Sequence, residues 1–267
     1  MQTPIHQQPW SAVFIRRVFG VLSQLLICMI APQTSWAAAY ELRVYSDDVP
    51  NQGESELEII ASVANPKPSI DGPNARVVQT LVEFGFGLGQ GWSVGLELPT
   101  SHVQGIHKLE GIKAEAQYVS DHNKAHGGYW GVRSDIGYTT TPYESQGGYS
   151  IDVNPILGYR WGKWHAVINP SIETPLNQQN KRSQFLPSAK VARAMSSTQH
   201  WGMEYFSSWG AVSSVLPQQQ RDETVYIVLD QKFSSSQLNI GLGKPLNPSG
   251  ASVDRWVLKL GLNFDLN

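Results

Sequence analysis

The stretch Trp256-Val257-Leu258-Lys259-Leu260-Gly261-Leu262-Asn263-Phe264-Asp265-Leu266 decides the fold class. Every second residue from Trp256 to Leu266 is apolar, and the residues between them include Lys259, Asn263 and Asp265. Side chains alternate between two faces along a β-strand, whereas a helix would scatter both sets around its axis. The stretch is therefore predicted to be a strand with one apolar face and one polar face.

The same period of two recurs upstream, in segments of about ten residues. Clear segments span 78–88, 92–98, 112–118, 130–138, 149–161 and 164–172, and less regular ones lie near 185–195, 199–209, 223–233 and 237–244. With a first strand near 56–63, the count is about twelve. Long connections, among them 99–108 and 211–223, alternate with short ones at Gly89-Gln90-Gly91 and Gly162-Lys163. We predict an all-β fold, an antiparallel up-and-down barrel over residues 55–267.

The polar face of the predicted strands carries acidic and basic residues together, which suits a water-filled interior. The apolar face then points outward, toward lipid. We predict that the following residues face the lumen: Glu83, Glu97, Lys113, Glu115, Arg133, Asp135, Asp152, Asn154, Arg160, Asn169, Glu173, Lys190, Glu204, Asp230 and Lys259. Because both signs are present, we expect no strong selectivity for anions or cations unless the loops impose it.

Aromatic residues at the strand ends favour a transmembrane barrel over a soluble one, because such belts mark the two lipid interfaces. They are Trp92, Tyr118, Trp130, Tyr159, Trp161, Trp164 and Trp201 near the short turns, and Tyr138, Tyr149, Trp209 and Trp256 toward the long loops. The chain end is similar to the C-terminal assembly signal of outer-membrane proteins, with Gly261, Phe264 and Leu266 as its elements. A soluble periplasmic β-barrel stays the remote alternative.

Residues 1–39 have the organisation of a secretory signal peptide. A polar stretch with Arg16 and Arg17 precedes an apolar run over 18–30, and small residues place the cleavage site near Ala37 to Ala39. The run is shorter than the roughly 20 residues that a transmembrane helix needs. The one cysteine, Cys28, lies in this run, so no disulfide or thiol chemistry is expected in the mature protein.

Residues 40–54 precede the first full strand, and three interpretations stay open for them. They can form a periplasmic tail, a short extra strand or a plug inserted into the barrel. In the last case Arg43, Asp47 and Asp48 can pair with charged residues of the lumen.

Composition and motifs exclude several functions. Charged residues make up 16% and the net charge is −2, which is too neutral for a nucleic-acid binder. No His-x-Ser pair or omptin-like acidic arrangement occurs, so no catalytic residue is assigned and the protein is not expected to be an enzyme. His102 and His107 lie in a long connection, and His122 and His126 are four positions apart but lie in a predicted turn and not on a helix, so neither a metal nor a cofactor is expected.

Prolines interrupt the strands in register. If Gly162-Lys163 is a two-residue turn, Pro155 lies opposite Pro170, and Pro187 follows one strand later. Because proline donates no hydrogen bond to a sheet, we predict a bend in the barrel wall there, with Asn154 and Asn169 turned inward. A purely structural bulge is favoured over a functional one.

Four segments carry a resemblance to known proteins: Glu41-Leu42-Arg43-Val44-Tyr45, Asn154-Pro155-Ile156-Leu157-Gly158-Tyr159-Arg160, Gly202-Met203-Glu204-Tyr205 and Asp254-Arg255-Trp256-Val257-Leu258-Lys259. With them the chain resembles Gram-negative outer-membrane β-barrel proteins classed as transporters, near the family named after the meta-pathway of phenol degradation. The resemblance implies passage of small compounds, some of them aromatic, and it defines no binding residues.

The sequence therefore predicts a channel of porin-like type in the outer membrane of a Gram-negative bacterium, with both termini periplasmic and small molecules passing by a passive or gated route. The expected partners are outer-membrane lipid and lipopolysaccharide, the barrel-assembly machinery and an unassigned solute. The alternative is a non-conducting structural or adhesive barrel that presents loops such as 177–182 and 218–221 to partners.

Overall fold

The computed structural model describes residues 43–66, 77–103, 105–120, 125–140, 147–177, 182–246 and 254–266. The predicted signal peptide lies outside these residues. The strands are β1 (Ser55–Pro66), β2 (Val77–Gly89), β3 (Trp92–Val103), β4 (Ile106–Leu109), β5 (Gly111–Val119), β6 (Gly127–Thr139), β7 (Gly148–Trp161), β8 (Trp164–Pro175), β9 (Gln184–Ala194), β10 (Gln199–Ser208), β11 (Gly210–Ala211), β12 (Ser214–Val215), β13 (Asp222–Lys232), β14 (Ser236–Pro245) and β15 (Asp254–Asp265).

Twelve of the described strands close into an antiparallel barrel. Each long strand pairs with its neighbours in the chain, and β15 pairs with β1 to complete the circle. The short strands β4, β11 and β12 extend the wall at the end where the long connections lie. A 3-10 turn, Gln218–Gln220, is the one helical element in the described part of the chain. The predicted all-β fold of about twelve strands is confirmed.

None of the helical structure in the described residues is long and apolar enough to cross a membrane.

Two predicted long connections are wrong in part, because both contain paired strands. The stretch 99–108 is not a loop throughout, because β3 continues to Val103 and β4 turns back along it, with Thr100 opposite Leu109. The stretch 211–223 likewise includes most of the β11–β12 hairpin. The alternation that marks the other strands is missing from both, because β3 continues through the polar run Thr100-Ser101-His102 and β11 and β12 have only two residues each.

The predicted tight turn after β2 has the backbone geometry that its residues favour. Gly89, Gln90 and Gly91 all have positive φ angles, of 89°, 54° and 82°. Glycine adopts this left-handed region without a steric penalty, and a run of it reverses the chain sharply. The turn sets the register of β2 against β3, with Glu83 opposite Glu97.

The barrel is apolar outside and polar inside. Phe84 is 46% exposed and Leu96 49%, whereas Glu83 and Glu97, on the opposite face of the same two strands, are 3% and 1% exposed. The other strands repeat this arrangement, with exposed large apolar residues alternating with buried polar ones. A soluble barrel shows the reverse order, because its apolar side chains must fill the interior.

The prolines interrupt the β7–β8 ladder without a bulge. Val153 pairs with Ile172 and Leu157 pairs with Ile168, so the register is the same on both sides of the gap and Pro155 faces Pro170. Pro170 in turn pairs with Pro187 on β9. No residue is inserted into either strand, so the structure shows a gap in the hydrogen bonding where a bulge was favoured.

Candidate functional site: the lumen and its N-terminal segment

Residues 43–54, here called the lumen segment, run through the interior of the barrel. Tyr45 is 5% exposed and Asn169 of β8 is fully buried. The backbone N–H of Tyr45 donates to Asn169 Oδ1 at 2.9 Å, and Asn169 Nδ2 donates back to the Tyr45 carbonyl at 3.1 Å. The carboxamide thus satisfies both backbone groups of Tyr45, as a neighbouring strand would. The gap left by the prolines is where this asparagine turns inward.

An ion pair holds the next part of the lumen segment. Arg160 of β7 donates to both carboxylate oxygens of Asp47, from Nε at 3.1 Å and from Nη2 at 2.5 Å. A bidentate pair of this kind fixes orientation as well as distance. Gln117 adds a hydrogen bond to the Ser46 carbonyl at 3.3 Å. Asp48 is exposed and lines the smaller of the two cavities described below.

The lumen segment leaves the barrel against β2, beside the short turns. Gly53 N–H donates to the Gly87 carbonyl and Gly87 N–H donates to the Glu54 carbonyl, each at 2.9 Å. A Cβ atom at Gly87 would lie 2.0 Å from the Asn51 carbonyl oxygen and 2.4 Å from that of Pro50. Only glycine allows the segment to pass this close to the wall.

The central feature of the lumen is the arginine cluster, in which two guanidinium groups meet five carboxylates: Arg43, Arg133, Glu58, Glu83, Glu97, Glu115 and Asp135. Arg43 contacts Glu58 and Glu83 and lies 3.4 Å from Glu97. Burial opposes the charge of Arg43, but the carboxylates outweigh it and hold the pKa of the guanidinium above its ordinary value. Arg43 therefore stays cationic and ties the lumen segment to three strands.

Arg133 of β6 is the second centre of the arginine cluster. It contacts Glu97 and Glu115, and its Nε lies 2.9 Å from Asp135. The Tyr45 ring lies between the two arginines, with its centroid 5.1 Å from the Arg43 guanidinium carbon and 4.5 Å from that of Arg133. Both cations stack on an aromatic face, an additional attraction in a buried site.

Three carboxylates of this cluster are close enough together to hold a metal ion. Oxygen atoms of Glu83, Glu97 and Glu115 lie within 4.8 Å of one another. The Arg133 guanidinium contacts all three residues. The geometry therefore fits an arginine–carboxylate network, since the cation of the site is supplied by the chain itself.

A second network, here called the lysine cluster, consists of Lys190, Lys259, Glu204 and Asp230. Lys190 Nζ lies 2.9 Å from both Glu204 and Asp230, and Lys259 contacts Glu204. Lys259 also lies over the Phe206 ring, at 5.2 Å. These contacts join β9, β10, β13 and β15 across the interior.

The structure places all of the predicted lumen residues on the inner face. Most are buried, and Lys113, Arg160, Glu173 and Lys190 are partly exposed. Lys113 pairs with Asp152 at 2.7 Å, and Asn154 donates to Asp135 at 3.0 Å.

Sequence reasoning missed several residues of the site. Glu58 and Tyr45 belong to the arginine cluster or its aromatic contact, and Glu110 and Tyr226 line the lumen. Glu56 and Glu58 share a face with Ile60, and this inward apolar residue concealed the polar stripe of β1. Glu56, Glu58 and Ser62 are separated by even numbers of positions and so share one face of a strand. This spacing was the signal that could have revealed the polar stripe.

The predicted assembly-signal residues lie at the end of β15. Gly261 is opposite Ile60, and Phe264 is opposite Leu57, in the seam with β1. Leu266 is exposed, and its N–H donates to the Ser55 carbonyl at 2.9 Å. Their recognition during assembly stays a prediction.

The lumen segment lies between two cavities of the interior. The larger, of about 600 Å³, lies toward the long connections, and the smaller, of about 140 Å³, lies toward the short turns. Arg43, Tyr45 and Ile60 line both cavities. The arginine–tyrosine contact is therefore the boundary between them.

Comparison with known proteins supports the fold. No protein-family model and no curated protein sequence matches the chain. Among solved structures, an outer membrane channel from Pseudomonas putida F1 is similar with a TM-score of 0.63 at 10% identity, over 85% of this chain and 100% of that chain. The KdgM porin is similar with a TM-score of 0.51 at 10% identity, over 79% of this chain and 99% of that chain. At this identity the likeness concerns the fold.

Proposed function

We propose that the protein is an outer-membrane channel for small molecules, with a non-enzymatic, porin-like role and both termini on the periplasmic side. The observation that carries the proposal is the reversed polarity of the barrel, which is apolar outside and charged inside. A closed barrel with this polarity satisfies its backbone in lipid and offers water a polar interior. The fold shared with an outer membrane channel and a porin supports the same conclusion.

Aromatic side chains on the outer surface support placement in a membrane. Trp92, Tyr118 and Trp130 lie side by side on β3, β5 and β6, with ring centroids 4.9 and 5.4 Å apart. Tyr138 and Tyr149, near the opposite end, are 5.2 Å apart. Two belts of aromatic rings suit the two lipid interfaces. Outer-membrane lipid, lipopolysaccharide and the assembly machinery are the partners that such a barrel needs.

The lumen segment makes this channel narrow in the form described. It lies between the two cavities, and its contacts with Asn169, Arg160 and the arginine cluster hold it there. Passage then requires a route around the segment or a movement of it. We propose that it acts as a plug.

The resemblance to transporters of the phenol meta-pathway type concerns which solute the channel passes. The larger cavity is lined by hydroxyl, amide and carboxylate groups, including Thr100, Gln184 and Glu173. Apolar and aromatic side chains, including Leu186, Phe206 and Tyr226, line the same cavity, so the lining suits solutes that carry both apolar and polar groups.

The test is single-channel recording of the mature chain in a planar bilayer, with and without residues 40–53. Discrete current steps from the full mature chain support a channel, and larger steps after truncation support the plug. A folded barrel that is silent in both forms overturns the proposal and favours the structural or adhesive alternative. The characteristic shift of folded barrels on unheated gels controls for folding.

A further inference from the structure

The charges around the two cavities are unbalanced. Twelve carboxylates and five basic side chains line the two cavities together. The larger cavity has Glu97, Glu110, Asp152, Glu173 and Asp222 against Arg43 and Lys113. Carboxylates stay in excess even when each base is assigned one of them. The lining is thus acidic, although the whole chain has a net charge of only −2.

All five of these bases already contact carboxylates. The arginine cluster holds two of them and the lysine cluster holds two, while Lys113 lies 2.7 Å from Asp152. An anionic solute would have to displace a carboxylate from a buried ion pair, which is unfavourable. Among the described residues, the lining therefore offers an anion only neutral hydroxyl and amide donors, and every base is already paired with a carboxylate.

Glu110 offers an unsatisfied oxygen to the larger cavity. It lies between β4 and β5 and is 4% exposed. Its Oε1 atom has no hydrogen-bond partner among the described residues, although it lines the cavity. A buried carboxylate oxygen without a partner is costly, and a cation or an N–H donor beside it removes that cost.

We propose that the channel admits cationic solutes, which bind first in the larger cavity beside the Glu110 carboxylate. The inference rests on the proposed channel function and adds the charge of the solute to it. An acidic lining concentrates cations and repels anions along a narrow passage. Hydroxyl groups around the same cavity, including those of Ser62, Thr100 and Thr139, can accept hydrogen bonds from an ammonium group.

The first test is the reversal potential of the refolded mature chain in a potassium chloride gradient. We expect a potassium-to-chloride permeability ratio above one. The ratio is expected to fall by about twofold in the Glu110→Gln/Glu173→Gln variant, since two cavity charges are lost. Asp265→Asn is the control: Asp265 lies at the exposed end of β15 and lines neither cavity, so the ratio is expected to change less than in the double variant. A ratio below one in the parent overturns the inference while leaving the channel function intact.

The second test does not need conduction. Spermidine is titrated calorimetrically into the folded barrel in detergent micelles, and into the Glu110→Gln and Asp265→Asn variants. Binding that weakens in Glu110→Gln and persists in Asp265→Asn supports a cation site at Glu110. Absent binding, or equal binding by all three proteins, overturns it. Silence in the bilayer with spermidine binding intact would overturn the channel function alone.

Discussion

Asn169 and Tyr45 form a reciprocal pair of hydrogen bonds, although 124 positions separate them in the chain. The Asn169 side chain thereby pairs with the backbone of the lumen segment as a neighbouring strand would. The gap between Pro155 and Pro170 accompanies this arrangement, because Asn169 also donates to the Pro155 carbonyl at 3.2 Å. Asn169 therefore links the gap in the barrel wall to the anchoring of the lumen segment.

We expect Asn169→Ala to loosen the lumen segment. The substitution leaves the buried N–H and carbonyl of Tyr45 without these partners, at a cost of about 1–3 kcal/mol. Single-channel recording should show larger or more frequent open steps than in the parent. Asn263→Ala is the control, because it removes an asparagine bond to Glu56 without touching the lumen segment. Unchanged steps in Asn169→Ala would show that this pair does not hold the plug.

Gly87→Ala should act on the same segment from the opposite wall. The added methyl group meets the Asn51 and Pro50 carbonyl oxygens, so the segment must move away from β2. We expect higher conductance together with faster proteolysis near residue 50. Gly128→Ala is the matched control, because its nearest contact would be an ordinary 3.5 Å. Equal protease resistance in both variants would contradict the close approach at Gly87.

Arg133→Ala should destabilise the barrel strongly. It leaves Glu97, Glu115 and Asp135 buried without their central cation, and breaking a buried ion pair costs about 3–5 kcal/mol. Urea unfolding in micelles, followed by tryptophan fluorescence, measures the loss. Arg193→Ala removes an exposed arginine from the outer face and is expected to change stability little. Equal unfolding free energies in the two variants would refute the structural role of the cluster.

Stability near Glu110 should depend on pH in a defined direction. Burial raises the pKa of the Glu110 carboxyl, so the folded state holds this proton more tightly than the unfolded state does. Its contribution to stability is therefore full below the ordinary carboxyl pKa of about 4.3 and falls as pH rises through the raised value. In Glu110→Gln we expect this pH-dependent decrease in the free energy of unfolding to be absent. It is measured as the difference in unfolding free energy between the variant and the parent across this pH range. A difference that does not vary with pH would contradict the raised pKa.

The alternation from Trp256 to Leu266 was sufficient to predict the barrel and its faces, because period-two patterning and lipid exposure act on every strand alike. It could not predict which charges meet. Glu83, Glu97 and Glu115 come from three strands and converge on Arg133 only through register and barrel curvature. The expectation of weak selectivity rested on charges scattered along the strands. It omitted Glu56, Glu58, Glu110 and Asp222, which also line the cavities.

The position of the lumen segment could also not be predicted from the sequence. Arg43 and Asp47 are ordinary charged residues in a short polar stretch, and nothing local distinguishes a tail from a plug. Their partners, Glu83 and Arg160, lie 40 and 113 positions away. Contacts at such separations depend on closure of the whole barrel.

The seam between β1 and β15 has a consequence for how the lumen segment enters the barrel. The lumen segment leads directly into β1, and β1 finds its second neighbour only when the final strand arrives. Glu58, Glu83 and Glu97, which bind Arg43, lie on the first three strands of the chain. This arrangement allows the segment to bind the first three strands before β15 closes the barrel, without being threaded into a finished pore.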